Sequence, residues 1–470
     1  MSIHQRLPVL LLVSTALAIA EDTPPPPPPS VEERINELDQ EIRILKRKAE
    51  NADETAAAKA KTATSALASD GGFTLSSADK AFTIKFGALI QADGRFRLDD
   101  ETADWGAAAG NWGPFQNTLT LAKVRPQLSG TLYQWIDYRL LTEFAGTVGV
   151  QDAYIDANFS TSVRALVGKA KVPFGLERGQ SDTALLFPER GLTDRLAPNR
   201  DVGVNIHGDL LPQLTYWVGV YNGTLDGGSR DTDVEDEKTI AARLWSTPFK
   251  ASDSDWFNGL SIGFGATTGY EKLATGINSG ANGYKTPLGA TQFFNYSGAT
   301  AFADGRQTRL SPQLYWSLPH VSLLADAIWS TSTIDRTTAS IDTQTVTVSA
   351  WQVAGSWVVT GERPTYNGFK TKKPFAPGNG QWGALELVAR VGSLSIGDGA
   401  FAANSGFAAR NTSASEAFAI GIGANWHLTS ALKWQIAYEQ TSFKDGAGTL
   451  ATPEDHETEK FLGTRVSFSF

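Results

Sequence analysis

Phe461-Leu-Gly-Thr-Arg-Val-Ser-Phe-Ser-Phe470 puts Leu462, Thr464, Val466, Phe468 and Phe470 on one parity and Gly463, Arg465, Ser467 and Ser469 on the other. Successive side chains of a strand point to opposite faces, so this is a strand with one apolar and one wet side that closes on an aromatic. The same alternation fills a longer run upstream. Between Phe82 and Leu98 one parity reads Phe82, Ile84, Phe86, Ala88, Ile90, Ala92, Gly94, Phe96 and Leu98; the other holds Thr83, Lys85, Gln91, Asp93, Arg95 and Arg97. That run is longer than an ordinary globular strand and suits one tilted across a bilayer.

Further alternating stretches occur at Leu214–Val220, Leu260–Ala266, Leu385–Val391 and Leu432–Tyr438. Counted along the chain from Phe82, the candidate strands number about 16, an even total of the kind that closed antiparallel membrane barrels have. The expected fold class is therefore all-β: a transmembrane antiparallel barrel over residues 73–470. Leu211-Pro212, Leu318-Pro319 and Thr429-Ser430 read as short periplasmic turns, and 223–236, 270–307 and 444–460 as external loops. Both barrel ends then lie on the periplasmic side.

Three segments precede the barrel. Met1 to Ala20 has a basic start (His4, Arg6), an apolar run and the small-residue site Ala18-Ile19-Ala20, the pattern of a removable export signal, which together with the barrel strands implies the outer membrane of a Gram-negative-type bacterium. Residues 21–30 contain six consecutive prolines, Pro24 to Pro29, a stiff spacer. From Val31 the apolar spacing changes to 4, 3, 4, 3 through Ile35, Leu38, Ile42 and Leu45, which predicts a short coiled coil over 31–66 that frays before Ser69. A seam that narrow cannot be buried within one chain. Association of identical chains, as a homotrimer, is expected, with a peptidoglycan or other periplasmic partner as the alternative use of the stalk.

Composition agrees with this reading. The net charge of −9 argues against a nucleic-acid partner, and the absence of cysteine removes disulfide and thiol-metal chemistry. Mean hydropathy is −0.20, a value a barrel can carry because lipid-facing residues are diluted one in two by lumen-facing polar ones. Gly259-Leu-Ser-Ile-Gly263 matches G-x-S-x-G but lies within an alternating strand rather than at a strand-to-helix elbow. His207, His320, His427 and His456 are dispersed. Neither a catalytic site, a metal site nor a cofactor is expected. Tyr133, Trp135, Trp329, Trp357, Trp382 and Trp426 read as interfacial aromatic belts.

Several motifs in order resemble the phosphate-selective porin O and P family: Lys85-Phe-Gly-Ala-Leu-Ile-Gln-Ala-Asp93, Ser129-Gly-Thr-Leu-Tyr-Gln-Trp-Ile-Asp-Tyr138, Val167-Gly-Lys-Ala-Lys-Val-Pro-Phe-Gly-Leu-Glu177, Thr360-Gly-Glu-Arg-Pro364, Gly383-Ala-Leu-Glu-Leu387 and Gly423-Ala-Asn-Trp426. The resemblance runs from about Phe82 to Phe470. It implies a trimeric, 16-stranded anion channel with its third external loop, near 175–201, folded into the lumen. The family's constriction carries an adjacent arginine pair on the second strand, where this chain reads Leu121-Ala-Lys-Val-Arg125. One arginine is replaced by Ala122, the other by Lys123, and Arg125 adds a cation on the same face. Arg178 and Arg190 match basic residues of the infolded loop. The family's arginine ladder falls near 270–290, where only Lys272 and Lys285 occur.

The anion pathway is thus assigned to Lys123, Arg125, Arg178, Arg190 and Arg195, for small anions such as phosphate. Converging cations lower the barrier to anions, and the planar arginine fork suits an oxyanion. Glu177, Asp182, Glu189, Asp194 and Asp201 are interleaved with these cations, so the charges can equally pair among themselves and fasten the loop. A general-diffusion or carbohydrate pore and a structural barrel tied down by its coiled coil are the competing readings.

Overall fold

The computed structural model describes residues 30–62, 64–69, 71–98, 117–233, 236–272, 283–296, 301–337, 341–401 and 407–470. The export signal and the proline run lie outside the described residues. Residues up to Ala63 and those from Thr64 onward form two separate units.

The first unit contains helix α1, Val31–Thr62. Ser30 and Glu33 start it with a reciprocal cap: the Ser30 hydroxyl accepts the Glu33 N–H at 3.2 Å while the Glu33 carboxylate accepts the Ser30 N–H at 2.8 Å. The seam residues Val31, Ile35, Leu38, Ile42 and Leu45 are all at least half exposed. The helix stops at Thr62, short of Ala66, because residues 65–69 pair as a strand instead.

The second unit is a sheet of nineteen strands. Two short ones come first, β1 (Ser65–Ser69) and β2 (Gly72–Ser76). The barrel staves follow: β3 (Phe82–Arg97), β4 (Thr118–Leu132), β5 (Ile136–Glu143), β6 (Gly149–Ser160), β7 (Val163–Lys171), β8 (Arg200–Leu211), β9 (Leu214–Tyr221), β10 (Thr239–Ser246) and β11 (Leu260–Lys272). A separate miniature hairpin, β12 (Tyr284–Lys285) and β13 (Gln292–Phe294), precedes β14 (Ala301–Ser317), β15 (Val321–Thr337), β16 (Ile341–Val358), β17 (Ala384–Ile396), β18 (Ala414–His427) and β19 (Leu432–Gly448). The short β20 (Pro453–Asp455) extends β19, and β21 (Glu459–Ser469) is the last stave. Each stave is antiparallel to its neighbours. β21 pairs with β19 on one edge and with β3 on the other, from Phe461↔Arg97 to Ser469↔Leu89, which closes a barrel of sixteen staves.

The alternation is realised as side. Phe86, Ile90, Leu140, Val218, Ile262, Leu387, Ile436 and Val466 are exposed on the outer face, while Gln91, Asp93, Asn205, Gln352, Gln435 and Arg465 are buried on the opposite parity. Closure leaves the staves no free edge, as a lipid environment requires.

The β1–β2 hairpin is an addition the alternating pattern did not reveal. Phe470 exchanges two backbone hydrogen bonds with Ala88, and the next place along that edge of β3, opposite Gly87, is taken by Gly72, after which Phe73 pairs with Phe86. β2 thus prolongs the ladder of β21, and the Phe73 and Phe470 rings meet edge to face at 5.9 Å. Gly72 has φ +100°, and a Cβ there would lie 2.2 Å from the Phe86 carbonyl oxygen. Gly72→Val is therefore expected to loosen this seam at a cost of about 1–3 kcal/mol. The check is the temperature at which the folded band converts to the unfolded one on a heated detergent gel, and an unchanged temperature would contradict it.

The lumen is only partly polar, contrary to simple alternation. On the inward parity of β15–β19, Ile328, Val346, Val348, Leu394, Ala417 and Phe443 are buried against Phe293, Phe294 and Phe407. Phe293 contacts Phe443 at 5.9 Å and Phe294 contacts Tyr284 and Tyr296 at 5.7 and 4.9 Å. Segment 283–296, expected as part of an external loop, is a dry plug filling that side of the barrel.

Candidate functional site: the charged lumen beside the infolded loop

After Lys171 the chain leaves the wall and returns only at Arg200. Between them lie a single helical turn, α2 (Leu176–Gly179), and a 3₁₀ turn at Leu192–Arg195. Phe174, Leu176, Leu185, Phe187, Leu192 and Leu196 are buried, so the segment is packed as a core element rather than draped as a loop. Its backbone carbonyls are held by wall side chains. Lys433 Nζ donates to the carbonyls of Thr183 and Leu185 at 2.9 and 3.0 Å, Arg390 Nη1 donates to Glu189 at 2.8 Å, and Arg465 Nη1 donates to Pro188. The Glu177 carboxylate accepts the Gly191 N–H at 2.8 Å and Gln352 Nε2 at 3.1 Å.

A second segment approaches from the short-turn end. Residues 359–383 join β16 to β17, and the Tyr366 hydroxyl donates to the Leu176 carbonyl at 2.5 Å while Gln180 Nε2 donates to the Tyr366 carbonyl at 2.8 Å. Trp245 and Tyr315 each pack 5.6 Å from the Tyr366 ring. The infolded loop is thereby gripped from both ends of the lumen.

Four of the five expected pathway cations converge, and Asp182 is the point of convergence for three of them. Lys123 Nζ lies 3.2 Å and Arg190 Nη1 2.7 Å from its carboxylate, and Arg125 is bonded to it directly. Arg125 also reaches Glu143 at 2.5 Å. Arg178 pairs with Asp194 at 2.6 Å, and Arg190 approaches that same carboxylate at 3.8 Å. Arg195 stands apart, donating to the Thr286 carbonyl at 2.9 Å and so tying the infolded loop to the dry plug. Burial works to raise the Asp182 carboxyl, yet the field of Arg190, Lys123, Arg125 and Lys171 outweighs it and holds the group well below the usual carboxylate range. It stays ionised, and it neutralises much of the cluster beside it.

The pattern missed other participants. Lys171 donates to the Gln180 carbonyl at 2.6 Å and lines a cavity of about 600 Å³ between the infolded loop and the wall from β3 to β8. That cavity is lined by Lys85, Arg125, Arg139, Lys171 and Arg200 against two acids, Asp152 and Asp182. Lys85 and Lys171 sit inside motifs quoted above, and strand parity alone marks Lys85 as lumen-facing. Arg465, on the wet parity of the closing strand, is buried between Asp93 at 2.6 Å and Glu189 at 2.6 Å. Lys272 is 3.8 Å from Asp304. Ser261, of the G-x-S-x-G match, hydrogen-bonds Thr247 at 2.8 Å on the barrel wall, and the described residues hold no group of three metal-ligating side chains.

A closed antiparallel barrel, apolar outside and charged within a lumen narrowed by its own loops, defines an outer-membrane porin. Residues 90–470 match the model of the family described as phosphate-selective porin O and P, and the chain belongs to that family. It is 22% identical over 399 residues to Porin O of Pseudomonas aeruginosa, an alignment covering 78% of this chain and 85% of that one. Among solved structures it is similar to the outer-membrane channel DcaP of Acinetobacter baumannii, with a TM-score of 0.50, 13% identity, and coverage of 83% of this chain and 98% of the other.

Proposed function

We propose that this porin passes small anions passively through the cavity between the infolded loop and the β3–β8 wall. The observation that carries the reading is the lining of that cavity by five basic side chains against two carboxylates. With the dry plug filling the β15–β19 side, ions are confined to the basic side, where the cations act together before salt screens them at about 8 Å. Lys123, Arg125, Arg178 and Arg190 form the narrow part, and Arg195 positions the loop.

Discrimination of phosphate from chloride is expected to be modest. Ala122 removes one bidentate fork, Lys123 offers a point charge in place of another, Arg125 is already bonded to Asp182 and Glu143, and Arg190 to Asp182 and the Glu177 and Gln180 carbonyls. Replacing Lys123 and Arg190 together by Ala is expected to move the zero-current potential in a salt gradient toward cations, by more than either change alone. An unmoved potential would sink the assignment and promote the general-diffusion reading.

The exposed apolar seam of α1 supports association of identical chains, as a homotrimer joined by a coiled coil. Replacing Ile35, Leu38 and Ile42 by Ser is expected to leave a folded barrel with weakened trimer cohesion, seen as monomers by light scattering in mild detergent. A trimer as stable as the original, with loss only of envelope anchoring, would reassign the helix to a periplasmic partner.

A further inference from the structure

On the outer face at the short-turn end, Trp382, Leu385, Trp426, Trp434 and Ile436 form an apolar groove of about 470 Å³ across β17, β18 and β19. Two of its indoles are not free to seek headgroups or water. Trp426 Nε1 donates to the Trp382 carbonyl at 2.6 Å, and Trp434 Nε1 donates to Thr464 Oγ1 at 2.8 Å. Phe375 braces the set, its ring 5.8 Å from Trp382 and 5.4 Å from Trp426, and its N–H is fixed on the Leu428 carbonyl at 2.7 Å. An ordinary interfacial tryptophan turns its N–H toward the wet layer. Here the donors are satisfied within the protein and the ring faces are left to build a wall.

Just ahead of Phe375 in sequence stand Lys370, Lys372 and Lys373, all exposed. None forms an ion pair with a described carboxylate; Lys372 Nζ donates to the Gly361 carbonyl at 2.8 Å, and the nearby Glu362 carboxylate, which accepts the Lys372 N–H at 3.2 Å, lies within the field of the Lys372 charge. A preformed apolar trough at the membrane boundary, with Lys372 held next to its Thr360 lip and Lys373 two residues ahead of the bracing Phe375, complements one kind of molecule, with a long acyl chain and an anionic head.

We propose that this groove is a binding site for an anionic phospholipid of the periplasmic leaflet, its acyl chain lying along Trp382, Trp426 and Trp434 and its phosphate held by Lys372 and Lys373. The site rests on the reading of the barrel as membrane-spanning but not on the ion preference of its lumen. Bound lipid would tie the 359–383 segment, whose Tyr366 grips the infolded loop, to the surrounding leaflet.

Native mass spectrometry of the full chain in detergent, titrated with phosphatidylglycerol or with phosphatidylcholine of the same acyl chains, tests it. The unmodified protein is expected to retain phosphatidylglycerol preferentially. Lys370→Gln, Lys372→Gln and Lys373→Gln together are expected to weaken its retention by about tenfold or more, and Trp382→Ala with Trp434→Ala to reduce retention of both lipids. Folding of each variant is verified independently by its heat-modifiable band and by unitary conductance. Equal retention of the two lipids by the unmodified protein, or undiminished phosphatidylglycerol on the folded triple variant, overturns the proposal. Failure of conductance in every form would instead strike the channel reading.

Discussion

Asp182→Asn is expected to raise anion preference more than any other single neutralising change. Asparagine keeps the volume and one acceptor oxygen but withdraws the charge that now binds Lys123, Arg125 and Arg190. Lys123 would lose its ion-pair partner while Arg125 and Arg190 would keep only Glu143 and Asp194, so the cluster, with Lys171 nearby, would carry one more uncompensated positive charge. Removing one member of a buried pair costs on the order of 3–5 kcal/mol, so the infolded loop should also loosen. Its other anchors, at Thr183, Leu185, Pro188 and Glu189, do not involve Asp182. The zero-current potential in a salt gradient should move toward the anion limit, more strongly at low ionic strength, where screening is weakest. A potential indistinguishable from that of the unmodified channel would mean that Asp182 lies off the ion path.

Phe293→Ala with Phe294→Ala is expected to produce the largest gain in conductance. Both side chains are fully buried in the plug. Truncating a buried Phe costs about 3–5 kcal/mol, and because the two share neighbours the combined loss need not be the sum. The cavity left between segment 283–296 and β15–β19 should admit water and ions along a side now dry. Single-channel conductance should rise, anion preference should fall because the new route carries fewer basic side chains, and the heat-modifiable transition should shift down. A destabilised barrel with unchanged conductance would show that the plug is only a structural core.

The barrel was legible in the sequence because lipid and lumen impose a strict two-residue period. Leu385, Leu387 and Val391 against Glu386 and Arg390 is a pattern no helix would tolerate, and each residue lies on the side expected of it. The same rule misled for the lumen: Val388 and Leu394 share the parity of Glu386 and Arg390, yet are buried and apolar because chain segments, rather than water, fill that part of the barrel. Such filling comes from contacts such as Phe293 with Phe443, which are remote in sequence and leave no periodic trace.

The charged site divided similarly. Arg178 and Arg190 stood out through the resemblance of the infolded loop, and Lys123 and Arg125 through that of the second strand. What could not be read was direction. Whether Asp182 opposes these cations or points away depends on the path of the infolded loop, set by wall residues such as Lys433 and Arg390. β1 and β2 escaped notice for a simpler reason: at five residues each they are too short for alternation to register.

Anion selection by the lumen is read from the reversal potential of the unmodified channel in a planar bilayer separating two potassium chloride concentrations. The expected potential has the sign set by chloride moving down its gradient. A potential of the opposite sign, set by potassium, would contradict it.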